Sequence, residues 1–140
     1  MLKRTFLAGL ASLAVLSAAA LVPAVPARAA GRFVDYVPGM IEDALKAGRT
    51  VFVDYSATWC TTCKAQERVI SRLLEANPAY AEKMLLVRVD WDDYGDAPVS
   101  RERNVPRRST LLLLRGEAEL GRVVAGTSEE EIKALMDKGL

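Results

Sequence analysis

The hydrophobic positions of the chain fall into short, separate runs with two different periods. Val51–Tyr55 is β-branched and aromatic with one acid, Asp54, near its centre, which predicts a buried strand over Thr50–Tyr55. Beyond it Ala65, Val69, Ile70, Leu73 and Leu74 recur at helical spacing and predict a helix running to about Ala76, where Asn77-Pro78 interrupts it. Ahead of the strand, Met40, Ile41, Ala44 and Leu45 form an apolar stripe between Pro38 and Gly48, predicting a short helix over Pro38–Lys46. Met84–Asp90 predicts a second buried strand, Trp91–Pro98 a loop, and Val99–Arg103 a short helix. Thr110–Leu114 suits a central strand, Gly116-Glu117 turns it, and Leu120–Val124 is its expected hairpin partner. Ser128, with Glu131 three residues on, caps a last helix that buries Ile132, Leu135 and Met136. This order predicts an α/β fold: a mixed central β-sheet with one hairpin and helices on both faces.

The N-terminus has a different pattern. Lys3-Arg4 precedes an apolar run, Phe6–Val22, followed by Pro23, Pro26 and Ala27-Arg28-Ala29. A basic start, an apolar middle and a small-x-small exit are the parts of a secretory signal peptide, expected over residues 1–29, with residues 30–140 as the domain. The alternative is an uncleaved anchor, since such a run lies at the lower edge of spanning length. No cysteine follows closely, so lipid attachment is not expected, and the absence of Arg-Arg points to the general (Sec-type) secretion route. The expected location is periplasmic or secreted, with membrane contact only through an uncleaved signal segment.

Charge adds one exclusion. The formal net charge of the 140 residues is +1, and residues 1–29 hold Lys3, Arg4 and Arg28 with no acid. The remaining chain is therefore slightly acidic, and no nucleic-acid partner is expected.

Two cysteines, Cys60 and Cys63, stand where the strand pattern gives way to the helix pattern. At a helix start, unpaired N–H groups and the helix dipole favour a thiolate over a thiol. A structural zinc site needs four ligands; with two cysteines and no histidine one chain cannot build it from those residues. Two inert buried cysteines are the other alternative. Outside the cytoplasm a cysteine pair is usually a structural bridge, but closing a loop of only Thr61-Thr62 constrains the unfolded chain little. The pair reads as a redox centre, a dithiol that cycles with a disulfide, in which Cys60 is the nucleophile and Cys63, one turn inside the helix, the resolving cysteine. Cys60 is expected to be accessible to another protein.

The stretch Val53-Asp54-Tyr55-Ser56-Ala57-Thr58-Trp59-Cys60-Thr61-Thr62-Cys63-Lys64 resembles the active-site segment of thioredoxin-fold thiol–disulfide oxidoreductases, with Trp59 before the first cysteine and Lys64 after the second. The resemblance covers about residues 33–138 and implies a thioredoxin-like fold. It implies that Asp54 is buried behind the second cysteine and assists its proton transfers. It aligns Arg88, in Arg-Val-Asp-Trp-Asp, with a basic residue that offsets the charge of Asp54. Either residue could instead face solvent if the strands alternate the other way, and Lys64 could be an ordinary solvated lysine. Two threonines between the cysteines bring no charge to the thiolate, which fits a reductant or an electron relay rather than a strong oxidant.

One segment departs from that family. Where the family has a cis-proline before the threonine that opens its hairpin, Asn104-Val105-Pro106-Arg107-Arg108-Ser109-Thr110 places Ser109. Aligning Pro106 instead would thread two arginines into a buried strand. Ser109 is expected to offer a hydroxyl to a sulfur or a substrate backbone, or merely to cap the strand start, with Arg107 and Arg108 making the rim cationic. Exchanging Ser109 for proline is expected to narrow the site without unfolding the domain. The expected activity is reduction of, or electron relay to, protein disulfides, fed by a membrane electron donor and needing no cofactor. The alternative is a binding module whose Cys60/Cys63 pair holds a soft metal or an iron–sulfur cluster shared between two chains.

Overall fold

In the computed structural model, which describes residues 33–140, both periods become visible as packing. The expected signal segment, Met1–Ala29, and its cleavage site lie outside the described residues. The elements follow as β1 (Val34–Asp35), α1 (Met40–Lys46), β2 (Thr50–Ser56), α2 (Thr61–Ala76), α3 (Ala79–Lys83), β3 (Met84–Asp90), α4 (Trp91–Tyr94), α5 (Pro98–Arg101), β4 (Thr110–Arg115), β5 (Ala118–Val124) and α6 (Glu129–Asp137). They build one five-stranded sheet of order β1-β3-β2-β4-β5. β3 is parallel to β1 and β2, while β4 is antiparallel to β2 and β5 to β4.

β2 is the middle strand, with neighbours on both edges and helices on both faces. It has no side to give to solvent, so Thr50 through Tyr55 are all buried. Successive side chains still alternate between two cores. Val51, Val53 and Tyr55 join Ile41 and Ala44 of α1 and Val99 of α5. Phe52 joins Val69, Ile70 and Leu73 of α2 and Ile132, Leu135 and Met136 of α6. By this alternation Asp54 shares the Phe52 face, on which α2 packs. The fold class expected from the order of elements is the one observed.

The differences are local. The expected loop after β3 opens with a single turn, α4, because the Asp90 carboxylate accepts from the Asp92 N–H at 2.9 Å and caps it. The next helix begins earlier than the expected Val99, with Pro98 in its first turn, and ends at Arg101. β5 starts at Ala118 rather than Leu120, since the ladder to Arg115 holds residues there that have no apolar side to announce them. The sequence pattern missed β1 and α3: two residues and five residues are too short to show a period.

Candidate active site

β2 ends at Ser56, and the chain crosses Ala57–Trp59 before α2 begins at Thr61. Cys60 is the N-cap of α2, and its Sγ accepts from the Cys63 N–H at 3.2 Å. The nucleophile expected from the sequence therefore occupies the capping position that Ser or Asp fills elsewhere, facing the positive end of a 16-residue helix. Both cysteines are free thiols.

Ser109, the residue before β4, completes the group. Its Oγ lies 3.2 Å from Cys60 Sγ and 3.1 Å from Cys63 Sγ. The β2–β4 pairing puts it there: Tyr55 is opposite Thr110, and the Ser109 N–H donates to the Tyr55 carbonyl at 2.8 Å. Thr110 opens the buried strand, which is the alignment preferred from the sequence, and Pro106 stays exposed outside it. The backbone of Ser109 is left-handed, with φ at 61°, and no cis peptide bond occurs among the described residues. Ala125, whose N–H donates to the Ser109 carbonyl at 2.8 Å, is also left-handed at 59°. A non-glycine residue there costs about 1–2 kcal/mol, so the two strained residues sit together beside the thiols.

This geometry overturns the expectation for proline at position 109. Proline holds φ near about −65° and has no N–H. It fits neither the φ of 61° nor the bond to Tyr55.

The expectation of an accessible Cys60 is also corrected. Cys60 is only 4% exposed and Cys63 only 2%, packed with Ala57 against Trp91. Trp59 is the residue that projects, 54% exposed. Its indole N–H donates to the Asp92 carboxylate at 2.9 Å, and the Arg108 guanidinium stacks over its ring at 4.3 Å. Burial pushes the Cys60 thiol up, but hydrogen bonds with Cys63, with Ser109, with the Cys63 N–H and with Arg108 outweigh it and bring the pKa down to about 7.

Asp54 is 2% exposed, and the β2–β3 register places Arg88 directly opposite it. Arg88 Nε donates to Asp54 Oδ2 at 3.3 Å, while a second nitrogen reaches Glu67 of α2 at 3.2 Å. Burial raises the Asp54 pKa to about 6, further than Arg88 lowers it, and the charge on Glu67 adds to the rise. A cleft of about 570 Å³, lined by Ser56, Lys64, Glu67, Arg88 and Asp90, opens beside this pair and not over the sulfurs. Lys64 is exposed on that wall, with no ion pair among the described residues.

Two residues of the site escaped the sequence analysis. Gln66, not the expected Ala65, is the residue of α2 that is fully buried here. Its amide donates to the Ser109 carbonyl at 3.0 Å and to the Gly126 carbonyl at 2.8 Å, tying α2 to both loops beside the thiols. A polar residue at an i+3 position from Cys63 on an apolar face was the available signal. Trp91 was read as loop, though a tryptophan directly after a buried strand was a hint of packing.

The thioredoxin family profile matches residues 39–138. The chain is 30% identical over 96 residues to a thioredoxin of Echinococcus granulosus, covering 69% of this chain and 83% of that protein. It is 35% identical to thioredoxin-2 of Pyricularia oryzae over 68% of this chain, and spans about half, 52%, of that protein's length. The crystal structure of Trxlp from Edwardsiella tarda superposes with a TM-score of 0.63 at 29% identity, covering 73% of this chain and 96% of that one. A redox-type cysteine pair capping the helix after the central strand, on this sheet order, agrees with all three comparisons, and the chain belongs to the thioredoxin family of thiol–disulfide oxidoreductases.

Proposed function

We propose that the protein is an exported reductase of protein disulfides, with Cys60 as the attacking and Cys63 as the resolving cysteine. The observation that carries this reading is the Ser109 hydroxyl within 3.2 Å of both sulfurs at the N-terminus of α2. One hydroxyl has one proton to give, so it donates to one sulfur while accepting from the other. With the Cys63 N–H already directed at Cys60, the arrangement favours a thiolate on Cys60 and a thiol on Cys63. The Cys60 thiolate attacks a substrate disulfide, a Cys60–substrate disulfide forms, and the substrate's other sulfur leaves and takes a proton. Cys63 then loses its proton and attacks Cys60, forming the Cys60–Cys63 disulfide and releasing the second substrate thiol. Asp54, on the sheet face that carries α2 and with a pKa near 6, is the acceptor for the Cys63 proton. Arg88 offsets the carboxylate charge, and Lys64 and the cleft beside Arg88 open that side to solvent.

Export rests on Lys3-Arg4, the apolar run and Ala27-Arg28-Ala29. A reductant outside the cytoplasm needs a source of electrons, which makes a membrane electron donor the expected partner. Among the described residues no helix is long and apolar enough to cross a membrane. The alternative of a metal or cluster shared between two chains rests on the cysteine pair alone; colour and metal content of the purified protein test it.

The decisive experiment is trapping. Cys63→Ser should accumulate mixed disulfides with substrate proteins, and Cys60→Ser should abolish turnover. Equal, slow alkylation of both thiols with no reductase activity would sink the assignment.

A further inference from the structure

Arg108 is a cation brought against the nucleophile, and its surroundings are unusual for a surface arginine. Its guanidinium carbon lies 4.3 Å from the centre of the Trp59 ring, beside Cys60. Its Nε is buried without a hydrogen-bond partner, and it forms no ion pair among the described residues. The Asp92 carboxylate, which accepts from the indole N–H of the same ring, forms no ion pair with Arg108. Other arginines of the domain, among them Arg72, Arg88, Arg103 and Arg122, pair with a carboxylate. Arg108 is thus half-buried against an aromatic ring, with hydrogen-bonding capacity to spare next to Cys60, a residue only 4% exposed. A guanidinium is suited to a carboxylate, and a substrate sulfur that meets Cys60 comes beside this one.

We infer that Arg108 is a specificity-determining residue of this thiol–disulfide site, receiving a carboxylate that flanks the substrate disulfide attacked by Cys60. The inference rests on the reductase reading above and adds the substrate class: protein or peptide disulfides with Asp or Glu beside the cysteine. The exchange itself is unchanged, with two thiols of the enzyme becoming one disulfide as one substrate disulfide becomes two thiols. What Arg108 changes is the productive encounter, since the carboxylate pairs with it as the substrate sulfur arrives at Cys60. Arg107, next in the chain, is exposed and turned to the Arg108 carbonyl, so it contributes only to the general field.

The test uses the reduced full chain and three short synthetic peptide disulfides that differ only at the residues flanking cysteine: Asp, Asn or Lys. The rate constant for oxidation of the Cys60–Cys63 pair is read for each. Wild type should favour Asp over Asn by about fivefold, as expected for one partly exposed ion pair, and Lys should be slowest. The preference should shrink from about 0.01 M to about 1 M salt as screening shortens. Arg108→Gln should flatten the order and Arg108→Glu should invert it, while Arg107→Gln should leave most of it. If Arg108→Glu does not fold, Arg108→Gln and the salt series decide. Equal rates for all three peptides in wild type, or an unchanged Asp preference in Arg108→Gln, overturn the inference while leaving the reductase reading standing. If wild type reduces none of the peptides, the reductase reading fails and this inference falls with it.

Discussion

At the scale of single residues, the site depends on where three protons sit. Alkylation of Cys60 should show a rate inflection near pH 7, against about 8.5 for a free thiol. Ser109→Gly accepts the φ of 61° without strain and removes the hydroxyl together with its Cβ, so it should stay folded and move that inflection upward. An unmoved inflection would show that the hydroxyl does not favour the thiolate. For Asp54 the linkage has a definite sign. Its folded pKa is about 6, raised by burial above the usual carboxylate value. Between about pH 4 and pH 6 the folded state holds the proton and the unfolded state has released it, so stability falls as pH rises through that window. Above it the buried charge costs on the order of 2–3 kcal/mol, a net figure in which the attraction of Arg88 is already included. Asp54→Asn should therefore raise the urea midpoint at pH 8 and not at pH 4, while slowing resolution by Cys63. Wild type more stable than the variant at pH 8 would mean that the pairing with Arg88 outweighs the burial.

At the scale of elements, α2 is held at both ends of its first two turns. Cys60 caps it, and Gln66 joins it to Ser109 and Gly126. Gln66→Leu keeps the volume but leaves the Gly126 carbonyl without that donor, a loss of about 1–3 kcal/mol. Its urea midpoint should drop, and exchange of the Ala125 amide, which bonds to Ser109, should quicken more than exchange in β2. Gln66→Glu should be worse, because a carboxylate would face two carbonyl oxygens. Unchanged Ala125 exchange in Gln66→Leu would show that the two loops hold themselves without α2.

Taken whole, the molecule is a sheet covered on two faces, with the thiols at the edge where β2 hands over to α2. Leu112 lies on the α1 face of β4, opposite Val53, and is fully buried. Leu112→Ala should cost about 2–5 kcal/mol in chemical denaturation and leave the Cys60 pH profile in place, since the α2 core does not contain it. A shifted thiol profile would show that the two faces are coupled. Export belongs to this scale as well. N-terminal sequencing of the secreted protein should begin near Ala30 or Gly31, and a chain starting at Met1 that pellets with membranes would mean an anchor.

The residues that act through neighbours in sequence were legible in the sequence. Val51–Tyr55 announces a buried strand and Val69, Ile70 and Leu73 a helix, because both periods come from local backbone geometry. Their junction alone fixes Cys60 at a helix start and Cys63 one turn inside. The pairing of Asp54 with Arg88 needed the register of two strands, which the family pattern implied and the β2–β3 ladder supplied. Tertiary structure decided the rest. The left-handed backbone of Ser109 is set by bonds to Tyr55 and Ala125, and its meeting with both sulfurs spans more than forty residues of chain. Gln66 interrupts an apolar stripe, and only the fold supplies the two carbonyls, from distant loops, that accept from its amide nitrogen in the interior. Burial of Cys60 and the stacking of Arg108 on Trp59 likewise arise where separate loops meet, and no period in the sequence encodes such a meeting.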